Sequence, residues 1–361
     1  MNIRFKPLKE QVIVITGASS GIGLVTARMA AQRGARVMLT ARNEAALRQL
    51  TEEINGQEIN GSESNGGVAD FVAGDIAEEA IVRRVGDQAI DRFGGIDTWI
   101  NCAGVSIYGP VLDVSLEDQR RLFETNFWGV VIGSRIAVGH LRKKGGALIN
   151  IGSTLSDRAV PLQGIYCASK HAVKAYTDSL RMELEHDGVP ISVTLIKPGA
   201  IDTPYAEHAK NYLPNEPKNP PPAYAPEVVA EAILHCAEHP VRDVFAGGGG
   251  KMISMLGHWA PRLTDKMMER SMFALQQSNQ ADQDRHDNGL YSSARGLQER
   301  SGRAPYVAES SFYTQASLHP MMTAAVTAVA GAVLVSLFRR VGSNGQSRMR
   351  SARSRTSQDF W

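Results

Sequence analysis

Tyr166-Cys167-Ala168-Ser169-Lys170 sets a phenol and an ammonium four residues apart, which on a helix is one face. A phenol with its ordinary pKa of about 10 is a poor base at neutral pH, and each unit of depression needs about 1.4 kcal/mol of differential stabilisation of the phenolate. A nearby ammonium supplies it. The spacing alone also describes a surface Tyr and Lys on an amphipathic helix. Ser153 tips the balance: it ends the apolar run Ile149-Asn150-Ile151-Gly152-Ser153, close enough upstream for a strand-to-helix connection to bring its hydroxyl to the same substrate oxygen. Asn126, in Glu124-Thr125-Asn126-Phe127-Trp128, is a poor helix former inside a helical pattern, placed to hold a water that joins Lys170 to solvent. Together these residues suit proton transfer at an alcohol or carbonyl oxygen.

A second group of residues suits a nucleotide. Gly17, Ser19, Ser20, Gly21, Ile22 and Gly23 belong to Thr16-Gly17-Ala18-Ser19-Ser20-Gly21-Ile22-Gly23, a glycine-rich turn that directly follows an apolar run and opens a helical pattern. Such a turn lets backbone approach a pyrophosphate, and the helix start offers it unpaired N–H groups. There is no GK[ST], which argues against a P-loop. At the end of the second apolar run, Leu39-Thr40-Ala41-Arg42-Asn43 has no acid to take ribose hydroxyls, while Arg42 is suited to a 2′-phosphate. The cofactor expected is therefore NADP(H). Asp75-Ile76 and Asn101-Cys102-Ala103-Gly104 end the third and fourth runs, with Asp75 placed to accept from an adenine amino group and Asn101, Ala103 and Gly104 to pass under the adenosine ribose.

The elements that must position these groups follow from periodicity. Strand candidates at Val12–Thr16, Arg36–Thr40, Ala69–Ile76, Thr98–Ala103, Ala147–Gly152, Ser192–Lys197 and Asp243–Ala246 alternate with helical patterns at Gly23–Arg33, Asn43–Ile54, Glu78–Phe93, Leu116–Lys143, Ala168–Glu185 and Pro226–His239. Strict alternation implies right-handed crossovers and an α/β fold: a Rossmann-like, doubly wound, parallel seven-stranded sheet in a catalytic domain over 1–250, followed by a C-terminal helical extension. The proline-rich stretch Thr203–Tyr224 reads as a lid over the substrate.

Past Gly250 the pattern changes. Residues 251–277, with methionines and leucines at helical spacing, read as an accessory helical element, 278–319 as a polar linker, and 339–361 as a basic, disordered tail with six arginines against one acid. Residues 320–338 carry no charge until Arg339. A helix there would be about 27 Å long against the roughly 30 Å of a bilayer core, but its alanines and hydroxyls make it a weak span. A basic tail also prefers the cytoplasmic side, which a single span with the enzyme in the cytoplasm would forbid. Two readings stand: a membrane-associated segment, spanning or interfacial, and a soluble oligomerisation helix.

The 361 residues are 43% apolar and 21% charged with a net charge of +2, an ordinary globular composition that offers nucleic acid no basic surface. Three cysteines, Cys102, Cys167 and Cys236, are too few and scattered for a disulfide framework, so a cytoplasmic catalytic domain is expected; the N-terminal residues lack a secretory signal's apolar core. His235 and His239 share a helix face without a third ligand, so no metal is expected.

The glycine turn, Asn101-x-Ala103-Gly104, Asn126, Ser153, Tyr166-x-x-x-Lys170 and Pro198-Gly199 together resemble, in order and spacing, the short-chain dehydrogenase/reductase family over roughly residues 10 to 250. The resemblance implies a Ser-Tyr-Lys-Asn tetrad at Ser153, Tyr166, Lys170 and Asn126, nicotinamide contacts from Pro198, Gly199 and Thr203, and a homo-oligomer. Cys102 departs from the family's usual Asn without removing a catalytic group. The function implied is an oxidoreductase interconverting a secondary alcohol and a ketone or aldehyde, acting on a small molecule that the methionine-rich element and lid suggest is apolar. A cofactor-binding scaffold without chemistry, and an epimerase or dehydratase on the same fold, are the alternatives.

Overall fold

A computed structural model of the chain describes residues 3, 5–56, 67–282, 288–304, 306–321, 323 and 324. Seven strands, β1 (Val12–Thr16), β2 (Arg36–Ala41), β3 (Ala69–Ala73), β4 (Thr98–Asn101), β5 (Gly146–Ile151), β6 (Ile191–Pro198) and β7 (Asp243–Ala246), form one sheet in the order 3-2-1-4-5-6-7. Every pairing is parallel. All five residues of β1 are buried, as a central strand covered on both faces must be. The order reverses between β1 and β4, the place where a doubly wound sheet opens a crevice beyond its strand ends.

The crossovers are α1 (Gly21–Gln32), α2 (Glu44–Gly56), α3 (Glu79–Phe93), α4 (Leu116–Phe123) with α5 (Gly129–Leu141), α6 (Gly164–His186) and α7 (Pro226–Glu238). One face of the sheet is sealed by Val14, Trp99, Leu148 and Val193 against Val85 of α3, Leu141 of α5 and Leu184 of α6. Each such burial is worth about 1.5–3 kcal/mol.

Several expected boundaries move. The stretch Leu116–Lys143 is not one helix, because a π-helical turn, Glu124–Trp128, separates α4 from α5. The extra residue in that turn swings Asn126 towards the backbone of Val105, where its amide makes two hydrogen bonds. β3 and β4 end earlier than expected, freeing Asp75 and Cys102–Gly104 as loops at the crevice. The proline-rich stretch makes three short strands, Lys210–Asn211, Asn215–Pro217 and Ala223–Tyr224.

The extension holds α8 (Gly248–Trp259) and α9 (Pro261–Leu275). Met268 and Met272 of α9 are buried against Val160 and Cys167. The described parts of 278–319, expected to be a linker, carry elements of their own. Gln277–Ala281 pairs antiparallel with Asn215–Pro217, Val307–Ala308 pairs parallel with Ala223–Tyr224, and Phe312–Leu318 is helical. The two strands are ordered by backbone hydrogen bonds to the catalytic domain, which impose no hydrophobic period.

The chain divides into compact units 1–314 and 315–361. Among the described residues no helix is long and apolar enough to cross a membrane. The segment 320–338, apart from residues 320, 321, 323 and 324, and the whole tail 339–361 lie outside the described residues.

Candidate active site

The turn after β1 folds back onto the loop after β4. Gly17 has φ +73°, and a Cβ added there would lie 2.6 Å from the Ala103 Cα, so both the left-handed backbone and the close approach require glycine. The Thr16 hydroxyl fixes the facing loop by accepting from Cys102 and Ala103 N–H at 3.0 and 3.1 Å. This junction borders a cavity of about 200 Å³ lined by Gly17, Ser19, Ser20, Gly21, Ile22 and Gly23 on one side and by Arg42, Asp75, Ile76, Ala103, Gly104 and Thr203 on others.

Asn101 does not join them. Its buried side chain donates to Asn150 at 2.8 Å and Ser134 at 3.2 Å and accepts from Trp99 at 2.9 Å, a network that ties β4 to β5 and α5 below the crevice. An Asn at a strand end serves either purpose, and here the side chain points into the domain. Asp75 is ion-paired with Arg121, and its other oxygen accepts from the Ala77 N–H at 3.0 Å. Arg42 donates to the carbonyls of Gly289 and Leu290. Burial lowers its pKa, with Asp75 opposing and Arg121 adding to the fall.

A second cavity, about 230 Å³, abuts the first through shared walls at Ile22, Cys102, Gly104, Thr203 and Tyr205. Ser153, Tyr166, Lys170, Pro198 and Gly199 line it, and Leu155, Val160, Ile253 and Met272 give it an apolar body. Ser153 stands just past β5 and caps a single 3-10 turn, its hydroxyl accepting from the Leu155 N–H at 3.0 Å. Tyr166 and Lys170 sit in the opening turns of α6, which begins two residues earlier than Tyr166. The Lys170 ammonium donates to the Ile151 carbonyl at 2.8 Å and lies 5.8 Å from the Tyr166 ring centre.

The electrostatics differ from expectation. Burial pushes the Tyr166 phenol up to about 12, with hydrogen bonds to Tyr205 and Ser153 opposing it. Burial also lowers Lys170 to about 8, against a smaller opposing effect of Cys102. Desolvation outweighs the hydrogen bonds that favour the phenolate, so in the protein alone Tyr166 is a neutral acid rather than an activated base. Burial likewise raises the Cys102 thiol to about 12, leaving it uncharged.

Asn126 lines neither cavity. It is fully buried, accepting from the Val105 N–H at 2.8 Å and donating to the Val105 carbonyl at 2.9 Å and to Ser169 at 3.2 Å. Ser169 in turn donates to the Tyr166 carbonyl at 2.7 Å. Asn126 thus clamps the loop after β4 to the start of α6. A Cβ on Gly104 would lie 3.5 Å from the Asn126 oxygen and 3.7 Å from the Lys170 nitrogen, so all three meet behind this loop.

Sequence reasoning missed three polar groups that line the second cavity, the buried Gln163 and Gln276 and the partly buried Tyr205. Tyr205 donates to Ser106 at 2.7 Å and also lies 3.0 Å from the Gln163 oxygen, and Gln163 donates to Gln276 at 2.6 Å. They come from three distant segments and carry no shared motif. Residues 289–298 were missed as well; in a polar stretch, the adjacent Leu290 and Tyr291 are the one signal that could have flagged them. His235 and His239 stack with ring centres 4.3 Å apart, and no group of three metal-ligating side chains occurs among the described residues.

The family model for short chain dehydrogenase matches residues 11–212, more than half of the chain. The chain belongs to that family. It is 47% identical over 341 residues to "Uncharacterized oxidoreductase YxnA" of Bacillus subtilis (strain 168), a match covering 94% of this chain and 93% of the relative. A match of that length runs on into the C-terminal extension. Among solved structures, a short chain dehydrogenase/reductase from Burkholderia phymatum in complex with NAD has a TM-score of 0.63 at 24% identity, covering 72% of this chain and 96% of that one. An alcohol dehydrogenase from the archaeon Thermococcus sibiricus, complexed with 5-hydroxy-NADP, has a TM-score of 0.55 at 24% identity, covering 65% and 95%. Membership places the chain among oxidoreductases that use a nicotinamide dinucleotide. The residues present fit such a group: a glycine turn lines the cavity, and the buried Thr125 hydroxyl that also lines it has no partner among the described residues.

Proposed function

We propose that the protein is an NADP(H)-dependent oxidoreductase acting on CH–OH donors, interconverting an apolar secondary alcohol and its ketone, with Tyr166 as general acid/base. The observation that carries this is that Ser153, Tyr166 and Lys170 line one mainly apolar cavity, which shares a wall with the glycine-lined one.

Arg42 and the absence of an acid at the end of β2 support the phosphorylated dinucleotide. The glycine turn would hold the pyrophosphate, while Pro198, Gly199 and Thr203 would face the nicotinamide. Bound NADPH supplies the hydride for the carbonyl carbon. Ser153 holds the carbonyl oxygen by a hydrogen bond, and Tyr166, protonated through the neutral range, delivers its proton to that oxygen. Lys170 restores favourable charge beside the phenolate left behind. In the reverse direction the phenolate accepts the alcohol proton. The walls of Leu155, Val160, Ile253 and Met272 exclude water from the reacting oxygen and favour an apolar substrate.

The exposed side chains of Met252, Trp259 and Leu263 on α8 and α9 support a homo-oligomer, which light scattering of the full chain would detect. The main test is NADPH oxidation against a panel of apolar and polar carbonyl compounds, with Tyr166→Phe as the comparison. Loss of turnover by about 10²–10⁴-fold with NADPH binding retained supports the assignment. Unchanged turnover in that variant refutes it, and activity confined to small polar carbonyls refutes the substrate class.

A further inference from the structure

Residues 289–298 run across the outside of the glycine-lined cavity. Leu297 N–H donates to the Ser19 carbonyl at 2.8 Å, and Gly21 N–H donates to the Gln298 carbonyl at 2.9 Å, so the segment is stitched to the turn that opens α1. The Asn43 amide donates to the Ala294 carbonyl at 3.1 Å, and Arg42 donates to the carbonyls of Gly289 and Leu290. A Cβ on Gly296 would lie 2.3 Å from the Ala46 Cβ, so the strap is seated directly on the start of α2. Leu290 is fully buried beside Val105, Ile107 and Tyr166. The outer wall of the cavity is therefore built by the extension, well beyond the residues that the family model matches.

That wall brings a charge. Arg295 lines the cavity together with Arg42 and Asn43, and it forms no ion pair among the described residues. Arg121 and Asp75 neutralise one another at the inner side. Two guanidinium groups, Arg42 and Arg295, thus line the cavity together with the glycine turn. A phosphate monoester carries about −1.5 to −2 charges at neutral pH and would balance them, whereas a bare ribose hydroxyl would not. Arg42 has part of its fork occupied by the strap carbonyls, which orients it but leaves fewer donors for a ligand; Arg295 has all of its own.

We propose that Arg295, supplied by the C-terminal extension, is a second ligand for the 2′-phosphate of NADP(H), so that the strap helps determine cofactor choice. This rests on the NADP(H) reading above. Its test is calorimetric titration of the full chain with NADPH, NADH, and the fragments 2′,5′-ADP and 5′-AMP. Arg295→Ala is expected to weaken NADPH and 2′,5′-ADP by about tenfold or more, one charge-assisted hydrogen bond, while NADH and 5′-AMP change less than about twofold. Arg295→Lys is expected to recover part of the loss. An equal loss for phosphorylated and unphosphorylated ligands would make Arg295 a structural residue and overturn the proposal, as would unchanged NADPH affinity. Arg42→Ala separates the two levels of inference. If Arg42→Ala loses NADPH selectively and Arg295→Ala does not, the NADP(H) reading stands and this one falls. If the unaltered chain binds NADH as tightly as NADPH, both fall.

Discussion

The catalytic wall of the second cavity and the outer wall of the glycine-lined cavity beside it are held in place by different means. On the inner side, β5 and α6 satisfy their own backbone hydrogen bonds, and the side chains they carry are fixed as a consequence. The end of β5 presents the Ile151 carbonyl to Lys170, and the α6 start presents Tyr166 beside it. On the outer side, residues 288–301 contain no helix or strand, and their backbone polar groups pair with parts of the catalytic domain: Ser19, Gly21, Arg42, Asn43, Arg121 and His208. A regular element keeps its shape whatever its neighbours do, whereas a strap is ordered only as far as its partners are. The inner wall should therefore belong to the most stable part of the domain, and the outer wall to a part that opens sub-globally.

The largest effect expected from this contrast is at Lys170. Lys170→Met removes the charge beside Tyr166 and should lower turnover by about 10²-fold or more without loosening the fold. Because burial holds Lys170 at about 8, the unaltered enzyme should lose reductive activity as pH rises through that value, while Tyr166, at about 12, keeps its proton. The rate of Lys170→Met should lack that step. Stability moves the opposite way. Between about 8 and the ordinary 10.5 the unfolded chain binds a proton at this lysine that the folded chain does not, so unfolding free energy rises with pH across that window. Urea titrations at either end of the window should show the rise in the native chain and a smaller one in Lys170→Met. An identical pH dependence in both would show that Lys170 is not desolvated as its position implies.

Next in size is Leu290, the strap's fully buried anchor. Leu290→Ala should cost about 2–5 kcal/mol if strap and domain unfold together. If the strap opens on its own first, urea midpoints will scarcely move, and instead limited proteolysis within 288–301 will accelerate while α6 stays protected. The second pattern sharpens the contrast between the walls; a full loss of global stability with no selective proteolysis breaks it.

How much was legible beforehand follows the same division. The glycine turn, Ser153 and the Tyr166-Lys170 pair could be placed from sequence because each chemical group lies within a turn of a strand end or helix start, so local periodicity fixes its position. Asn101 was placed at the ribose but points into the domain, since a strand-end Asn faces the crevice or the core according to pleat, and a shift of one residue reverses it. The Tyr166 pKa rises rather than falls because burial is a tertiary property, which the Tyr166-Lys170 spacing does not reveal. Asn126 was noticed as an oddity in a helix, but the π turn that aims it at Val105 has no pattern of its own. Tyr205, Gln163 and Gln276 meet only through the fold. The strap was invisible because polar residues ordered by other residues' hydrogen bonds leave no hydrophobic period.

The smallest expected effect probes the strap's outer end. Arg28 on α1 donates to Glu53 at 2.9 and 2.6 Å and to Glu299 at 2.7 Å, bridging α2 and the strap. All three side chains are between a quarter and a third exposed, so water screens the bridge, and Arg28→Ala should cost the whole domain only about 0.2–1 kcal/mol. A change that small is near the error of an unfolding curve, but hydrogen exchange can resolve it by location. The amide of Leu297, hydrogen-bonded to Ser19, and that of Gly21, hydrogen-bonded to Gln298, should exchange about two- to fivefold faster in Arg28→Ala, because each reports release of the strap. Amides in the middle of α6 should keep their rates, since that helix opens only with the domain. If they accelerate by the same factor as Leu297, the strap and the catalytic helix open as one unit, and the walls of the two adjoining cavities do not differ in the way their hydrogen bonds imply.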